Sequence, residues 1–450
     1  MSPKKIAIQT LLSSRIVVPI EPADRVLTDH AIAIDNGVIV DVLPTERALK
    51  KYDAKSYVEY DDHILMPGLI NAHTHAAMSL LRGVASDVPL MDWLNNHIWP
   101  LEKTFADEQF VHDGSQLAIA EMLRGGTTCF NDMYFFPEIT ARVASQIGMR
   151  AVVGMIVIEF PTRYATHADE YLSKGLALFD TYKNNPLITT IFAPHAPYTL
   201  SDDTLTKISR ISNELDLPVH MHVHETAQEI KDSLELHGVR PLDRLDQLGL
   251  LNPNLLAVHM TQLTAEEITQ IADAGVTVLH CPESNLKLAS GMCPVHALKQ
   301  AKARVIIGTD SHASNDDLDM FSEMRTAALL AKGVSQDATA FNAQQALRAA
   351  TIDAARALGL GNETGSIEKH KSADIIAIHC NNIESYPHYD VFSHLVYSTD
   401  RQCVCDVFVA GRQLLKDRTL TTASEDDIII KSKQWQATIN AFDASTATQW

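Results

Sequence analysis

Eight short apolar runs, spaced along the chain and mostly separated by helix-like stretches, constrain the fold more than any other feature. They cover 65–72, 127–132, 150–158, 187–194, 218–223, 255–261, 276–281 and 304–309. Near-continuous apolar runs mark strands covered on both faces, and regular alternation with helices marks a parallel sheet. One helix is predicted over 107–124, stopped by Gly125-Gly126. Another is predicted over 201–215, with Ser201 as its N-cap. Eight strand–helix units over about 300 residues predict an α/β fold, a (β/α)8 TIM barrel. The barrel is assigned to residues 66–365.

The two ends of the chain differ from this middle. Asp35-Asn36-Gly37 lies between the strand-like segments 31–34 and 38–40, and Asn-Gly is a strong tight-turn signal. Ala410-Gly411-Arg412 forms a second predicted hairpin between 407–409 and 413–415, and 374–378 reads as a further strand. Both ends are β-rich, so a small β-sandwich domain is predicted from residues 1–65 and 366–450 together. The tail reads as helix over 428–441 and then as polar chain.

Charge and composition exclude several functions. Thirty-seven basic against 56 acidic residues leave a net charge of −19, and the only Lys/Arg runs noted are Lys4-Lys5 and Lys50-Lys51. Nucleic acid or an anionic membrane surface calls for a basic face, so neither is an expected partner. The six cysteines are scattered with no CxxC pair, which fits a reducing compartment. Cys403 and Cys405 alternate on a predicted strand and are expected to pack a core. The first 18 residues lack a signal-peptide core, and no run approaches 18 apolar residues. The expectation is a soluble cytoplasmic protein.

The chemistry gathers at strand ends. His73-Thr74-His75 closes the first run, and residues i and i+2 of a strand share a face. Alone, an HxH pair is weak evidence, because alternating histidines often line a polar strand end. Further on come His222 in His222-Val223-His224-Glu225, His259 at the end of run six, and Asp310 after run eight. Chemistry in such a barrel sits at the C-terminal ends of the strands. Three histidines and one aspartate form a nitrogen/oxygen set suited to Zn²⁺, with room for an activated water. Fe²⁺ or Mn²⁺ fits the same donors.

The ordered motifs resemble the amidohydrolase superfamily over nearly the whole chain. Met66-Pro67-Gly68-Leu69-Ile70-Asn71-Ala72-His73-Thr74-His75, Trp93 with Trp99-Pro100-Leu101-Glu102, and Ala193-Pro194-His195-Ala196-Pro197-Tyr198 carry the likeness. So do His222-Val223-His224-Glu225-Thr226, Ser284-Asn285-Leu286-Lys287-Leu288 and Gly308-Thr309-Asp310-Ser311. Within the superfamily they resemble the 5-methylthioadenosine/S-adenosylhomocysteine deaminases, in the chlorohydrolase-like and aminohydrolase-like group. The resemblance implies a metal site of His73, His75, His222 and Asp310. Two-metal members commonly carry a carboxylated lysine on strand four, and Ile191-Phe192-Ala193-Pro194-His195 has none, so one divalent ion is expected.

Roles follow from the same resemblance. Asp310 both ligates and accepts the proton of water. Glu225 does not ligate and carries a proton to a ring nitrogen of the substrate. His259 holds the attacking oxygen. Glu102 matches the carboxylate that reads ribose hydroxyls, Trp93 an aromatic wall, and His195 a nucleoside contact. Arg163 is the one arginine well placed for the amino-acid carboxylate of S-adenosylhomocysteine, since Arg150 opens strand three at the far end. Having one such arginine tilts the expectation to methylthioadenosine. Of His220, His222 and His224, which share a strand face, His220 is expected to fill the barrel and His224 to line the site or bond a neighbour. His280 is expected near the site, and His312 beside Asp310 is expected to bond a neighbouring carbonyl. Other readings are a deaminase or chlorohydrolase of guanine, a pterin or a triazine, and a non-catalytic scaffold. Intact Glu225, His259 and Asp310 argue against the scaffold. The resemblance also implies a homo-oligomer, a dimer or tetramer.

Overall fold

A computed structural model describes residues 4–442; the polar end of the tail lies outside the described residues. Eight parallel strands neighbour one another in chain order: Leu69–Thr74, Thr127–Asp132, Arg150–Val157, Ile188–Pro194, Val219–Val223, Leu255–His259, Thr277–His280 and Arg304–Ile307. Helices separate them, among them Glu108–Arg124, Asp202–Leu215 and Ala227–His237. Asp107 caps the first of these through the N–H groups of Gln109 and Phe110, and Ser201 caps the second through that of Thr204.

Side-chain alternation fills the barrel. Ile70, Cys129, Val152, Ile191, Leu256, Leu279 and Ile306, one from every strand but the fifth, form a single buried cluster. On the fifth strand, Val219, Met221 and Val223 instead join the cluster that includes the surrounding helices. Alternation therefore turns His220 and His222 to the inside.

The seam between the last and first strands is closed by side chains as well as backbone. Asp310 N–H donates to the His73 carbonyl at 3.0 Å. Asn71 imitates a strand edge: its Oδ1 accepts from Thr309 N–H at 3.0 Å, and its Nδ2 donates to Thr309 Oγ1 at 2.7 Å. Gly308 allows this approach, since a Cβ there would lie 2.5 Å from the His73 nitrogen.

The termini build a separate eight-stranded sheet. Across it lie Thr419–Leu420, Arg412–Lys416, Val404–Val409, Ile375–His379, Tyr52–Pro67, Ile6–Val17, Leu27–Asp35 and Val38–Pro44. The two ends of the chain join where Ile375–His379 pairs antiparallel with Tyr52–Pro67. The sheet curls until the two predicted hairpin turns touch. Asn36 and Gly37 have φ of 50° and 79°, and a Cβ on Gly37 would lie 2.6 Å from the Ala410 carbonyl oxygen. Arg150 ties the bottom of the barrel to this sheet through Asp374, Nε to Oδ2 at 2.8 Å.

Three expectations need correction. The apolar run 65–72 is two strands: Tyr52–Pro67 ends in the terminal sheet and Leu69–Thr74 begins the barrel. The run is continuous because both stretches are buried. The tail helix spans Glu425–Asn440, starts three residues early behind the Ser424 cap, and packs on the barrel helix Glu108–Arg124 through Trp435 and Lys431, both bonded to Asp113. Cys403 and Cys405 are half-buried rather than core residues, and all six cysteines are unpaired. Among the described residues, no helix is long and apolar enough to cross a membrane.

The seam makes a direct prediction. Gly308→Ala forces a methyl against the His73 backbone and should cost about 1–3 kcal/mol, the scale of core overpacking. Denaturant unfolding measures it. Unchanged stability would mean that the seam does not depend on this contact.

Candidate active site

The four predicted metal ligands meet at the C-terminal mouth of the barrel. One ligand atom from each of His73, His75, His222 and Asp310 lies within 4.8 Å of the others. His73 and His75 Nε2 each stand 3.2 Å from Asp310 Oδ1, and His222 Nε2 stands 3.2 Å from His73 Nε2. Each ring's other nitrogen is engaged. His75 Nδ1 meets the Met133 carbonyl at 2.5 Å, His222 Nδ1 the His195 carbonyl at 2.7 Å, and His73 Nδ1 the His220 Nε2 at 2.9 Å. A carbonyl can only accept, so Nδ1 of His75 and His222 carries a hydrogen and Nε2 is the nitrogen left to ligate once it is free of a proton. Asp310 is oriented likewise: its Oδ2 accepts from Ser284 at 2.6 Å and Ser314 at 3.0 Å, which leaves Oδ1 on the histidine side. Burial opposes a charge on His75, but its bond to Asp310 outweighs this and raises the ring to about 9, so a proton occupies the place that a cation would take. This donor set fits a divalent cation of the zinc type.

Burial and the ligands' own contacts set the charges. Burial opposes ionisation of Asp310, but bonds from His73 and His75 outweigh it and hold the carboxyl well below the usual carboxylate range. Burial pushes His222 well below the usual imidazole range. His73, His259 and Asp310 are buried, and His259 and Asp310 have φ of 75° and 65°. Left-handed backbone at non-glycine residues is strained, and such strain clusters at functional sites.

Glu225 stays clear of the ligand cluster. It is buried, and burial raises its carboxyl above the ordinary range despite His259 nearby. Its Oε2 lies 3.7 Å from His259 Nε2, and its Oε1 accepts from Ser290 Oγ at 3.2 Å. Asn285 accepts from His259 Nδ1 at 2.8 Å. Ser284, Asn285 and Ser290 were not assigned roles in the sequence, although Ser284-Asn285 stood inside a quoted motif.

A cleft enclosing about 1040 Å³, part of it open to solvent, rises over this floor. Trp93, Glu102, Arg163 and His195, the expected substrate contacts, all line it. The segment carrying Trp93 and Glu102 contains a π-helical turn, Leu94–Ile98, between Leu90–Trp93 and Trp99–Phe105. Such turns change the helix face and recur at functional sites. Here Trp93, Ile98, Trp99 and Glu102 all reach the cleft. Burial lifts the Glu102 carboxyl to about 7, with the neighbouring Tyr134 hydroxyl pulling the other way. Burial lowers His195 to about 3, so its ring is neutral at pH 7. Arg163 is engaged by the Thr104 carbonyl and, at 3.2 Å, by Asp107 Oδ2.

The remaining histidines separate cleanly. His220 lies inside the barrel, but it also holds His73 and meets Asn131 Nδ2 at 3.3 Å. His224 does not line the cleft; its Nε2 accepts from Leu242 N–H at 3.2 Å. His280 is buried and is not among the residues lining the cleft, and among the described residues neither ring nitrogen has a hydrogen-bond partner. His312 bonds side chains rather than a carbonyl: Ser79 at 2.6 Å and Glu121 at 3.0 Å. The Glu121 carboxylate, also paired with Arg401, gives that ring a stronger partner than a backbone oxygen.

Comparison with known proteins agrees with this geometry. A 5-methylthioadenosine/S-adenosylhomocysteine deaminase of Saccharophagus degradans is 47% identical over 435 residues, covering 97% of this chain and 98% of its own. One of the same name from Thermodesulfovibrio yellowstonii is 40% identical, covering 94% and 97%. The crystal structure of an adenosine deaminase from Xanthomonas campestris with bound zinc superposes with a TM-score of 0.96 at 51% identity, over 98% of this chain and all of that one. A zinc complex of an atrazine chlorohydrolase from Arthrobacter aurescens shares the fold, with a TM-score of 0.88 at 22% identity, over 95% of this chain and all of that one. Residues 64–414 match the amidohydrolase family, and the chain belongs to it.

Proposed function

We propose that this protein hydrolytically deaminates an adenine nucleoside, with 5′-methylthioadenosine the preferred substrate, giving 5′-methylthioinosine and ammonia. The observation that carries the reading is the joint placement of Glu225, His259 and the ligand cluster under a cleft whose wall holds Glu102. The relatives named above supply the substrate class.

His73, His75, His222 and Asp310 would hold one divalent ion, with Zn²⁺ the best match to the donors; strand four ends without a lysine to hold a second. When bound, the ion supplies a water acidified from about 16 towards about 7. Asp310 would accept a proton from the attacking water. Glu225, kept protonatable by burial, gives a proton to a purine ring nitrogen and weakens the adjacent C–N bond. His259, anchored by Asn285, holds the attacking oxygen and the negative charge that develops on it. The attacking oxygen would add to the amino-bearing carbon; Asp310 would then pass its proton to the amino group, which leaves as ammonia, and the hydroxyl proton would return to Glu225 as the product carbonyl forms.

Glu102 would bind the ribose diol, Trp93 would cover the sugar or thioether, and neutral His195 would contact the nucleoside. The outer cleft favours an uncharged 5′ substituent, because Arg163 is already satisfied by Asp107 and Thr104. S-adenosylhomocysteine and adenosine remain weaker substrates in this reading. Unpaired cysteines support a cytoplasmic home, and the implied dimer or tetramer is testable by sedimentation. The functional test is ultraviolet absorbance of zinc-loaded enzyme with methylthioadenosine. Conversion of the adenine to a hypoxanthine spectrum is expected; inertness on every adenine nucleoside would contradict the reading.

Zinc binding should stabilise the folded state by about 2.7 kcal/mol at roughly 100 times its Kd. The gain should saturate at one ion per chain and vanish in His222→Ala. Two equivalents per active chain would refute a single site.

Glu225→Gln should retain the metal and lose about 10²–10⁴-fold in kcat, the range of general acid–base catalysis. Near-normal turnover of the metal-loaded variant would exclude Glu225 as the proton carrier.

Glu102→Ala should lose about 10–150-fold in kcat/KM on methylthioadenosine, equal to about 1.5–3 kcal/mol for a charged hydrogen bond. The 2′,3′-dideoxy analogue should be nearly indifferent. The pH dependence has a definite sign. The Glu102 carboxyl is raised to about 7, so the ionised form that accepts both hydroxyls is lost as pH falls through that value. Nucleoside kcat/KM should fall on that limb, and Glu102→Gln should abolish the limb. An equal loss on both substrates would remove Glu102 from diol recognition.

A further inference from the structure

Glu229 is a buried carboxyl beside the site that the mechanism above leaves unused. Glu229 lies in the first turn of helix Ala227–His237 and is 8% exposed. Thr226 caps that helix, its Oγ1 accepting from Glu229 N–H at 3.2 Å. In a reciprocal cap the residue at this position reaches back to the N–H of the capping residue itself. Glu229 reaches further. Its Oε1 accepts from His224 N–H at 3.0 Å, and its Oε2 accepts from Glu225 N–H at 2.7 Å.

These two N–H groups belong to the turn between strand five and the helix, where His224 has φ of 55°. A histidine pays a strain energy there that a glycine would not. Consecutive N–H groups around a left-handed residue form a concavity that suits an anion. The opposite side of the same turn is also held. Thr261 N–H donates to the His224 carbonyl at 3.0 Å, and Thr261 Oγ1 donates to the Glu225 carbonyl at 2.7 Å. Between these grips the Glu225 side chain projects to His259 Nε2 at 3.7 Å.

We infer that Glu229 is a positioning residue for Glu225: its two carboxylate oxygens fix the strained turn that aims Glu225 into the cleft. Helix capping accounts for only part of its placement: Glu229 also feels the Thr226 N–H, as a capping partner would, but its closest bonds go to the His224 and Glu225 N–H groups ahead of the helix. The inference rests on the proposed role of Glu225, and its test separates the two.

Glu229→Gln keeps the side chain's shape and one acceptor, but puts an amide NH₂ against the other backbone N–H. Glu229→Ala removes both acceptors. Thr226→Ala removes the cap alone. With zinc-loaded proteins and methylthioadenosine, Glu229→Gln and Glu229→Ala should both lose about 10²-fold in kcat, the scale of a 1 Å misplacement of a catalytic group. KM and zinc content should hold. Thr226→Ala should lower the Tm and keep kcat. Wild-type kcat in Glu229→Gln overturns the inference. So does a shift of the acid limb with an undiminished plateau, which would make Glu229 only a charge. If the wild type fails on the nucleoside, the functional reading falls, and amide hydrogen exchange decides the positioning role. Faster exchange at His224 and Glu225 in Glu229→Gln supports it; unchanged exchange overturns it.

Discussion

The bonds made by the outward nitrogens of three histidines are the interaction on which the site depends. The Met133 and His195 carbonyls and the His220 ring take Nδ1 of His75, His222 and His73. An imidazole with its Nδ1 hydrogen committed has its Nε2 lone pair fixed in direction. The Met133 and His195 partners lie just beyond strand ends and His220 lies inside the fifth strand, so the barrel itself sets the ligand geometry. That is why the seam matters. Asn71 and Thr309 lock the last strand to the first, and Gly308 lets Asp310 reach the histidines of the first strand.

Around this centre, three carboxyls are shifted in opposite directions, one down and two up, by their neighbours. Asp310 has two histidines and two serine hydroxyls, and stays ionised. Glu225 has one serine and a more distant histidine, so burial wins and it can hold a proton. Glu102, away from the cluster, is lifted to about 7. In the proposed mechanism, such differences in ionisation let like groups serve as ligand, proton carrier and substrate grip.

Much of this was legible in the sequence, because strand alternation and strand-end placement are local properties. Seven runs became barrel strands and the first supplied the eighth together with the end of a terminal-sheet strand, and His73, His75, His222 and Asp310 converge where their strand-end positions implied. The boundary at Gly68 was not legible. A run buried in two consecutive sheets carries no polar break, so hydrophobicity alone cannot divide it. The partners of the site were also hidden. His220 reads as one of three alternating histidines, and its contact with His73 depends on the barrel's curvature. Asn285 and Ser290 act across strands, and Glu229 looks like an ordinary capping residue until its oxygens are traced. The tail helix showed its pattern but not its docking through Trp435, because that contact spans more than 300 residues.

Anomalous diffraction at the zinc edge on crystals of the zinc-loaded protein tests the central claim most directly. The account predicts a single peak per chain, bonded to Nε2 of His73, His75 and His222 and to Asp310, with each Nδ1 still on its present partner. A second peak in the barrel mouth, or coordination through any Nδ1, would contradict it.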